Sequence, residues 1–218
     1  MGRGEEIGKQ INNISTMKKI MTFALTALLA TTFTQCGNKA TQKTDEVERD
    51  DTATVVNNNT MVYGICGDAS AMNTLELITD TGDTLSLPLE KAKEENRVFG
   101  GYGVGDRMAV YIDKKTNDPK VVINESTLMG NWLMPNPIDG SSTLGMSIKD
   151  GGIAESINQP TIIFKTWRII DGQLEISLVR EGGGDEEETN LYTMKKLDAD
   201  SLIFFGPEDT FEYSREKK

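Results

Sequence analysis

Side chains that could carry out a reaction are few in this sequence. It contains no histidine among its 218 residues, so the commonest general base and the commonest transition-metal ligand are missing. Acidic residues cluster from Asp185 to Glu188, where they could attract Ca²⁺ or a basic partner, although an acidic run is more often only solvated. Two carboxylates such as Asp185 and Glu187 serve glycoside chemistry only when they face each other across a cleft. Spacing alone does not establish that cleft, so we predict a protein that is not an enzyme and has no metal or cofactor.

The two cysteines lie in different contexts. Cys66 lies in an apolar, strand-like stretch, which favours a small buried hydrophobe over a nucleophile. Cys36 follows Met17-Lys18-Lys19 and the apolar run from Ile20 to Phe33, which have the order of an export signal. That run is too short to span a bilayer comfortably.

The stretch ending in Cys36 resembles a bacterial lipoprotein signal, in which the cysteine becomes the lipidated first residue. We therefore expect residues 1–35 to be an upstream extension plus a signal peptide, with Met17 as the true start. Residues 36–59 are polar and are expected to form a disordered tether. Acyl chains on Cys36 would anchor the protein in a membrane, so the expected location is the cell envelope, at the outer membrane.

Charge argues against nucleic acid as a partner. The chain has 34 acidic and 23 basic residues, and its formal net charge is −11. Proteins that bind phosphate backbones without sequence preference depend on clustered positive charge. We therefore expect no nucleic-acid binding.

Residues 60–126 show the alternation typical of short strands, interrupted by turn residues. Three strands, a short helical run from Glu90 to Glu95 and two more strands predict a five-stranded OB-like small barrel. The glycines from Gly100 to Gly105 invite a phosphate-loop interpretation, but no Lys-Ser/Thr pair or long helix follows them. Bent strands need glycine as well, and this second explanation is favoured.

Residues 127–218 contain eight short strands joined by short connections. Asp171-Gly172 is a strong hairpin signal, and Leu174, Ile176 and Leu178 fall on one face of the strand that follows. An eight-stranded up-and-down meander is most simply closed into a barrel, because closure removes its edges. The predicted fold class is therefore all-β, with the OB-like barrel followed by this larger one.

Several residues of the second half carry a resemblance to the lipocalin superfamily, and more closely to the short lipocalin-like domains in envelope lipoproteins of Bacteroides-type bacteria. They are Gly130-Asn131-Trp132, the stretch from Gly151 to Asn158, Thr166-Trp167-Arg168, the hairpin from Asp171 to Leu174, Tyr213 and Arg215. The pairing with an OB-like domain also resembles copper-resistance lipoproteins. Those carry Cys-x-x-Cys, whereas this chain has only Cys66 there.

The resemblance implies a structural signature formed by Gly130, Trp132 and Arg215. In lipocalins the tryptophan of the first strand packs at the closed end of the barrel, and an arginine of the last strand lies across it. Since a cation over an aromatic face is stabilising within about 6 Å of the ring centre, we expect the Arg215 guanidinium within that distance of Trp132.

The resemblance also implies an interior that either is filled by side chains or holds one small ligand. The candidates for its lining are Phe164, Trp167, Tyr192 and Phe204. The leading hypothesis is a membrane-tethered, non-enzymatic lipoprotein that binds a small hydrophobic ligand or an envelope partner. The alternative is an envelope-stress or assembly factor that docks on a larger machine without a small ligand.

Overall fold

The computed structural model describes residues 58–138, 140, 142–182, 186–206 and 209–217. The predictions for the signal peptide, the lipidation of Cys36 and all but the end of the tether lie outside these residues. Every described residue belongs to one compact unit. Within the described ranges, no helix is both long and apolar enough to cross a membrane.

The first part of the described chain forms a six-stranded mixed sheet, here called the N-terminal sheet. Its strands are β1 (Asn59–Cys66), β2 (Thr74–Thr79), β3 (Thr84–Pro88), β4 (Val98–Phe99), β5 (Arg107–Asp113) and β6 (Pro119–Asn124), in the order β3-β2-β1-β5-β6-β4. A five-residue helix, α1 (Glu90–Glu94), connects β3 to β4. Only β4 pairs in parallel, with β6, among the described strands.

Alternation along β5 gives this sheet two buried faces. Met108, Val110 and Ile112 belong to one hydrophobic core, together with Cys66. Ala109, between them, belongs to a second core on the opposite face. Cys66 is only 1% exposed, which confirms the prediction of a small buried hydrophobe.

The predicted strand count for this sheet was wrong, because five strands were expected and six are present. The two-residue strand β4 is too short to show a period in the sequence. It pairs with β6 and so occupies the edge where a closing strand would have to pair. The OB-like barrel is accordingly not confirmed, and the division into domains at residue 126 stays a prediction.

The second part forms a closed, eight-stranded antiparallel barrel. A four-residue helix, α2 (Glu125–Leu128), leads into it. The strands are β7 (Gly130–Pro135), β8 (Thr143–Lys149), β9 (Ile153–Ile157), β10 (Ile162–Ile170), β11 (Gln173–Arg180), β12 (Glu187–Leu197), β13 (Ser201–Phe205) and β14 (Thr210–Arg215). Each strand pairs with its neighbour in the chain, and β14 pairs with β7 to close the ring. The predicted all-β fold with an eight-stranded barrel is confirmed.

Connections in an up-and-down barrel fall alternately at its two ends. One end holds the turns at Asp150–Gly152, Asp171-Gly172 and residues 198–200. The other end, here called the mouth, holds the connections that follow Pro135, Ile157, Arg180 and Phe205. Part of the chain between Arg180 and β12 lies outside the described residues. Of the acidic cluster from Asp185 to Glu188, Glu187 and Glu188 belong to β12.

The N-terminal sheet covers the end opposite the mouth. The Tyr63 hydroxyl donates to the Ile169 carbonyl at 2.6 Å, and the Gly100 amide donates to the Leu197 carbonyl at 2.9 Å. Ala109 and Ile123 of this sheet lie in the same hydrophobic core as the barrel interior. The covered end is therefore closed, which leaves the mouth as the open end of the described barrel.

The glycine-rich stretch has a structural role at this junction. A Cβ at Gly100 would lie 2.8 Å from the Cβ of Asn124, and the φ of Gly100 is +83°. The buried Asn124 amide donates to the Gly100 and Gly101 carbonyls and to the Asp106 carboxylate. The Asn124 side chain also accepts from the Thr127 amide at 2.8 Å and so caps α2. These contacts explain the glycine at position 100 without a bound phosphate.

Candidate functional site

A cavity of about 510 Å³ opens at the mouth of the barrel and is here called the mouth cavity. Its apolar lining comes from every barrel strand except β9: Met134, Leu144, Ile162, Phe164, Ile176, Leu178, Tyr192, Phe204, Phe211 and Tyr213, with Pro137 beside them. Its polar lining residues are Gln159, Arg180, Asn190 and Asp209. Apolar walls with a few polar groups are typical of small-molecule sites.

Strand alternation sets the order of these side chains from the interior to the mouth. On β11, Ile176 and Leu178 are buried, and Arg180, the last residue of the strand, is exposed. On the neighbouring β12, Tyr192 is buried and Asn190 is half-buried. The cavity is thus apolar in its depth and becomes polar towards the mouth.

One side of the cavity is aromatic. Tyr192, Phe204, Phe211 and Tyr213, on strands β12 to β14, form what is here called the aromatic wall. Phe204 lies at its centre, with ring centroids 4.9 Å from Tyr192, 5.5 Å from Phe211 and 5.6 Å from Tyr213. Tilted and edge contacts at these distances hold the rings in fixed positions. The wall is therefore a preformed surface.

Charges at the rim of the cavity are paired. The Nε of Arg180 lies 3.0 Å from the Oε2 of Glu188, and both side chains are about half-exposed. This Arg180–Glu188 contact is here called the rim pair. Because the two charges offset each other, the rim presents little net positive charge to an incoming ligand.

Both tyrosines of the aromatic wall are neutral over a wide pH range. Burial raises the pKa of the Tyr192 phenol; the nearby Arg180 lowers it and Glu188 raises it. Burial also raises the pKa of Tyr213, and Tyr192 adds to that rise. Each phenol therefore keeps its proton and stays a possible hydrogen-bond donor.

Gln159 has a polar atom without a partner. Its Oε1 is buried and accepts no hydrogen bond from the described residues. A buried acceptor without a donor is costly, so such atoms in proteins usually meet a donor from protein, water or ligand. Gln159 belongs to the lining of the mouth cavity.

Three of the four predicted lining residues, Phe164, Tyr192 and Phe204, line the mouth cavity. Trp167 does not line this cavity; it lines a second pocket, and its Nε1 donates to the Lys149 carbonyl at 2.7 Å. Strand β10 has an irregularity between Phe164 and Thr166. This bulge lets Phe164 and Trp167 both be buried, although they are three residues apart.

The predicted contact of Trp132 and Arg215 is present at the closed end. The guanidinium carbon of Arg215 lies 4.1 Å from the Trp132 ring centroid, inside the expected 6 Å. Trp132 is fully buried and its Nε1 donates to the Leu128 carbonyl at 2.7 Å. Gly130 has a φ of +141°, and a Cβ there would overlap the Nη1 of Arg215. The three residues belong to one packed unit, which does not line the mouth cavity.

The second pocket, of about 530 Å³, lies between the N-terminal sheet and the closed end. It is lined by the half-buried Glu125, whose carboxylate lies 3.3 Å from the Nε of Arg107. Burial raises the pKa of Glu125, while Arg107 opposes that rise. Arg107 also pairs with Asp80. Arg107 therefore lies between two carboxylates, and the cation of this pocket is already paired.

Several residues of the mouth cavity were not among the predicted candidates, chiefly Ile176, Leu178, Phe211 and Tyr213. Ile176 and Leu178 share a face in the sequence pattern, which was the available signal. Alternation does not say which face is the interior. Gln159 and Arg180 also line the mouth cavity. Their positions there depend on which strands are neighbours, and the sequence pattern does not show this.

Comparison with known proteins found similarity in the barrel region. Residues 124–216 match the model of a family described as Lipocalin-like, and this range contains the whole barrel and the mouth cavity. The chain is also similar to a lipocalin-like protein from Bacteroides thetaiotaomicron whose crystal structure is known. The sequence identity is 26%, the match covers 41% of this chain and 97% of the other, and the TM-score is 0.38. A comparison with curated proteins found no significant match. The lipocalin-like resemblance is confirmed for the barrel.

Proposed function

We propose that the barrel binds a small hydrophobic ligand in the mouth cavity. The observation that carries this proposal is the cavity itself, because about 510 Å³ of space with apolar walls remains at the mouth. Ligand pockets typically measure roughly 300 to 1,000 Å³ and have such walls. A filled interior would have removed the basis for ligand binding.

The packing of the walls supports the same function. Phe204 is 2% exposed and Ile176 is 1% exposed, so the deep walls are held in place by their neighbours. A preformed wall reduces the entropy that a ligand must lose to order its site. Binding to this cavity should therefore leave the barrel backbone nearly unchanged.

Membrane tethering is part of the proposal. The signal-like run before Cys36 supports a lipid anchor at that residue. An anchored barrel on the cell envelope would present its mouth to hydrophobic molecules near a membrane. Labelling with a radioactive fatty acid, in cells that produce the chain and a Cys36→Ser variant, tests this part, and label retained by the variant would contradict it.

A fluorescence titration tests ligand binding. The uncharged probe N-phenyl-1-naphthylamine brightens in apolar surroundings, and we expect saturable binding with one probe per chain. The informative variant is Ile162→Trp, because Ile162 lines the mouth cavity and the larger ring would occupy part of the space that the probe needs. Its matched control is Ile163→Trp, since Ile163 is the next residue and is 42% exposed.

We expect Ile162→Trp to weaken probe binding at least about tenfold, which corresponds to about 1.4 kcal/mol. The control should bind as the unchanged protein does. Equal binding by both variants, or no saturable binding by the unchanged protein, would rule out the mouth cavity as the site. Circular dichroism of both variants shows whether the barrel has folded.

A further inference from the structure

The lining of the mouth cavity favours a flat ligand. The aromatic wall forms one side, and Ile162, Ile176 and Leu178 on β10 and β11 contribute aliphatic surface to the lining. Rings prefer offset or edge contacts with other rings. A planar apolar body can rest on the aromatic wall and present its other face to the aliphatic side chains.

The charges around the cavity disfavour an anion. Arg180 is the only cationic side chain among the described lining residues, and Glu188 already pairs with it at 3.0 Å. Asp209 adds a carboxylate to the same lining, and the whole chain carries a formal charge of −11. A carboxylate entering the cavity would lose its water and find no free cation in the described lining.

The polar groups of the lining instead suit an uncharged group that forms hydrogen bonds. Gln159 offers a buried acceptor without a partner. The hydroxyls of Tyr192 and Tyr213 form no hydrogen bond with another described residue, and both phenols keep their protons because burial raises their pKa. A hydroxyl group both donates and accepts, so it can satisfy a glutamine oxygen and a phenol together.

We propose that the ligand of the mouth cavity is an uncharged, flat apolar molecule with a hydroxyl group, and that carboxylates of the same size are rejected. The inference rests on the proposed function and names the ligand class of that site. Gln159 recognises the hydroxyl group, and the rim pair with Asp209 rejects the carboxylate. A site built to hydrogen-bond a hydroxyl discriminates strongly against a molecule without it, because its own polar atom is then left unpaired.

A set of probes with one ring system tests the ligand class. 2-Naphthol, naphthalene, 2-naphthoate and 2-naphthylmethylamine share a flat body and differ in one group, which at pH 7 is a hydroxyl, none, a carboxylate or an ammonium. Each displaces N-phenyl-1-naphthylamine in competition. We expect 2-naphthol to bind at least about fivefold more tightly than naphthalene and at least about tenfold more tightly than 2-naphthoate.

Two variants assign the discrimination to residues. Gln159→Leu should remove most of the difference between 2-naphthol and naphthalene. Glu188→Gln breaks the rim pair and frees Arg180, so it should strengthen 2-naphthoate binding several-fold. The matched control is Glu187→Gln, which changes the net charge equally at an exposed neighbouring residue and should leave 2-naphthoate binding as it was.

The outcomes separate this inference from the proposed function. Tightest binding by 2-naphthoate or by the amine, or equal binding of 2-naphthol and naphthalene, would overturn the ligand class and leave the cavity as a hydrophobic site. An equal gain of 2-naphthoate binding in Glu188→Gln and Glu187→Gln would overturn the role of the rim pair. If N-phenyl-1-naphthylamine itself does not bind to the unchanged protein, both proposals fail together.

Discussion

At the scale of single residues, Arg215 connects three parts of the closed end. It pairs with Trp132 across the seam between β14 and β7, and its guanidinium lies over the indole ring. The same guanidinium donates to the Thr127 and Met129 carbonyls and to the Ala199 carbonyl. One side chain thereby joins the first and last barrel strands to α2 and to the turn before β13.

We predict that Arg215→Ala lowers the free energy of unfolding by about 2 kcal/mol or more, because it removes the stacked cation and the donors to three carbonyls. Arg215→Lys keeps the charge without the planar fork and should lose roughly half as much. Urea unfolding followed by far-ultraviolet circular dichroism measures both. Affinity for N-phenyl-1-naphthylamine should not change, since the mouth lies at the opposite end. A loss within about 0.5 kcal/mol, the range of ordinary surface substitutions, would contradict this role.

The motif residues that carry the resemblance to lipocalins were enough to predict the contact of Trp132 with Arg215. They were not enough to predict the polar lining of the mouth cavity. Gln159 follows β9, and Arg180 is paired from the neighbouring strand. Both depend on which strands face each other around the cavity, which a linear pattern does not contain.

At the scale of elements, the barrel is held together unevenly. Strands β10 and β11 pair at eight positions, whereas β9 and β10 pair only at Ile153 and Thr166. Near the mouth, the Ser156 side chain takes the place of the missing backbone pairing. Its hydroxyl donates to the Ile162 carbonyl at 2.5 Å and accepts from the Phe164 amide at 2.9 Å.

We predict that Ser156→Ala destabilises the protein by about 1 to 2 kcal/mol, because it leaves a part-buried amide and a carbonyl without partners. Ser156→Thr keeps a hydroxyl and should retain most of the stability. Amide hydrogen exchange should quicken at Phe164 in the alanine variant and stay slow at residues of β11. An unchanged exchange rate at Phe164 would show that the hydroxyl does not hold this seam.

Element boundaries could be predicted well wherever alternation was uninterrupted. The alternation predicts strands at Thr74–Thr79, Ile153–Ile157, Gln173–Arg180, Ser201–Phe205 and Thr210–Arg215, and β2, β9, β11, β13 and β14 have these bounds. The pattern did not predict β4 and α2, because both are too short to show a period. It also did not predict the bulge after Phe164. A bulge reverses the facing of all later residues in its strand, so Trp167 is buried like Phe164. Trp167 lines the second pocket because it lies further along β10, towards the closed end.

At the scale of the whole molecule, one end of the barrel is covered and the other is open. The sequence predicts two adjacent β modules, but it does not predict that Ala109 and Ile123 of the first lie in the core of the second. Alternation shows which residues share a face of a strand. It does not show which other element covers that face. Because the N-terminal sheet covers one end, a ligand of the barrel would have to enter at the mouth, and this asymmetry supports the proposed function.

A crystal structure with 6-bromo-2-naphthol, recorded at the bromine absorption edge, tests directly whether the mouth cavity is the ligand site. We expect one strong anomalous peak inside the mouth cavity, within about 4 Å of an aromatic-wall side chain, with the hydroxyl group near Gln159. A peak in the pocket beside Glu125 and Trp167, or only on the outer surface of the barrel, would contradict the claim that the mouth cavity is the ligand site.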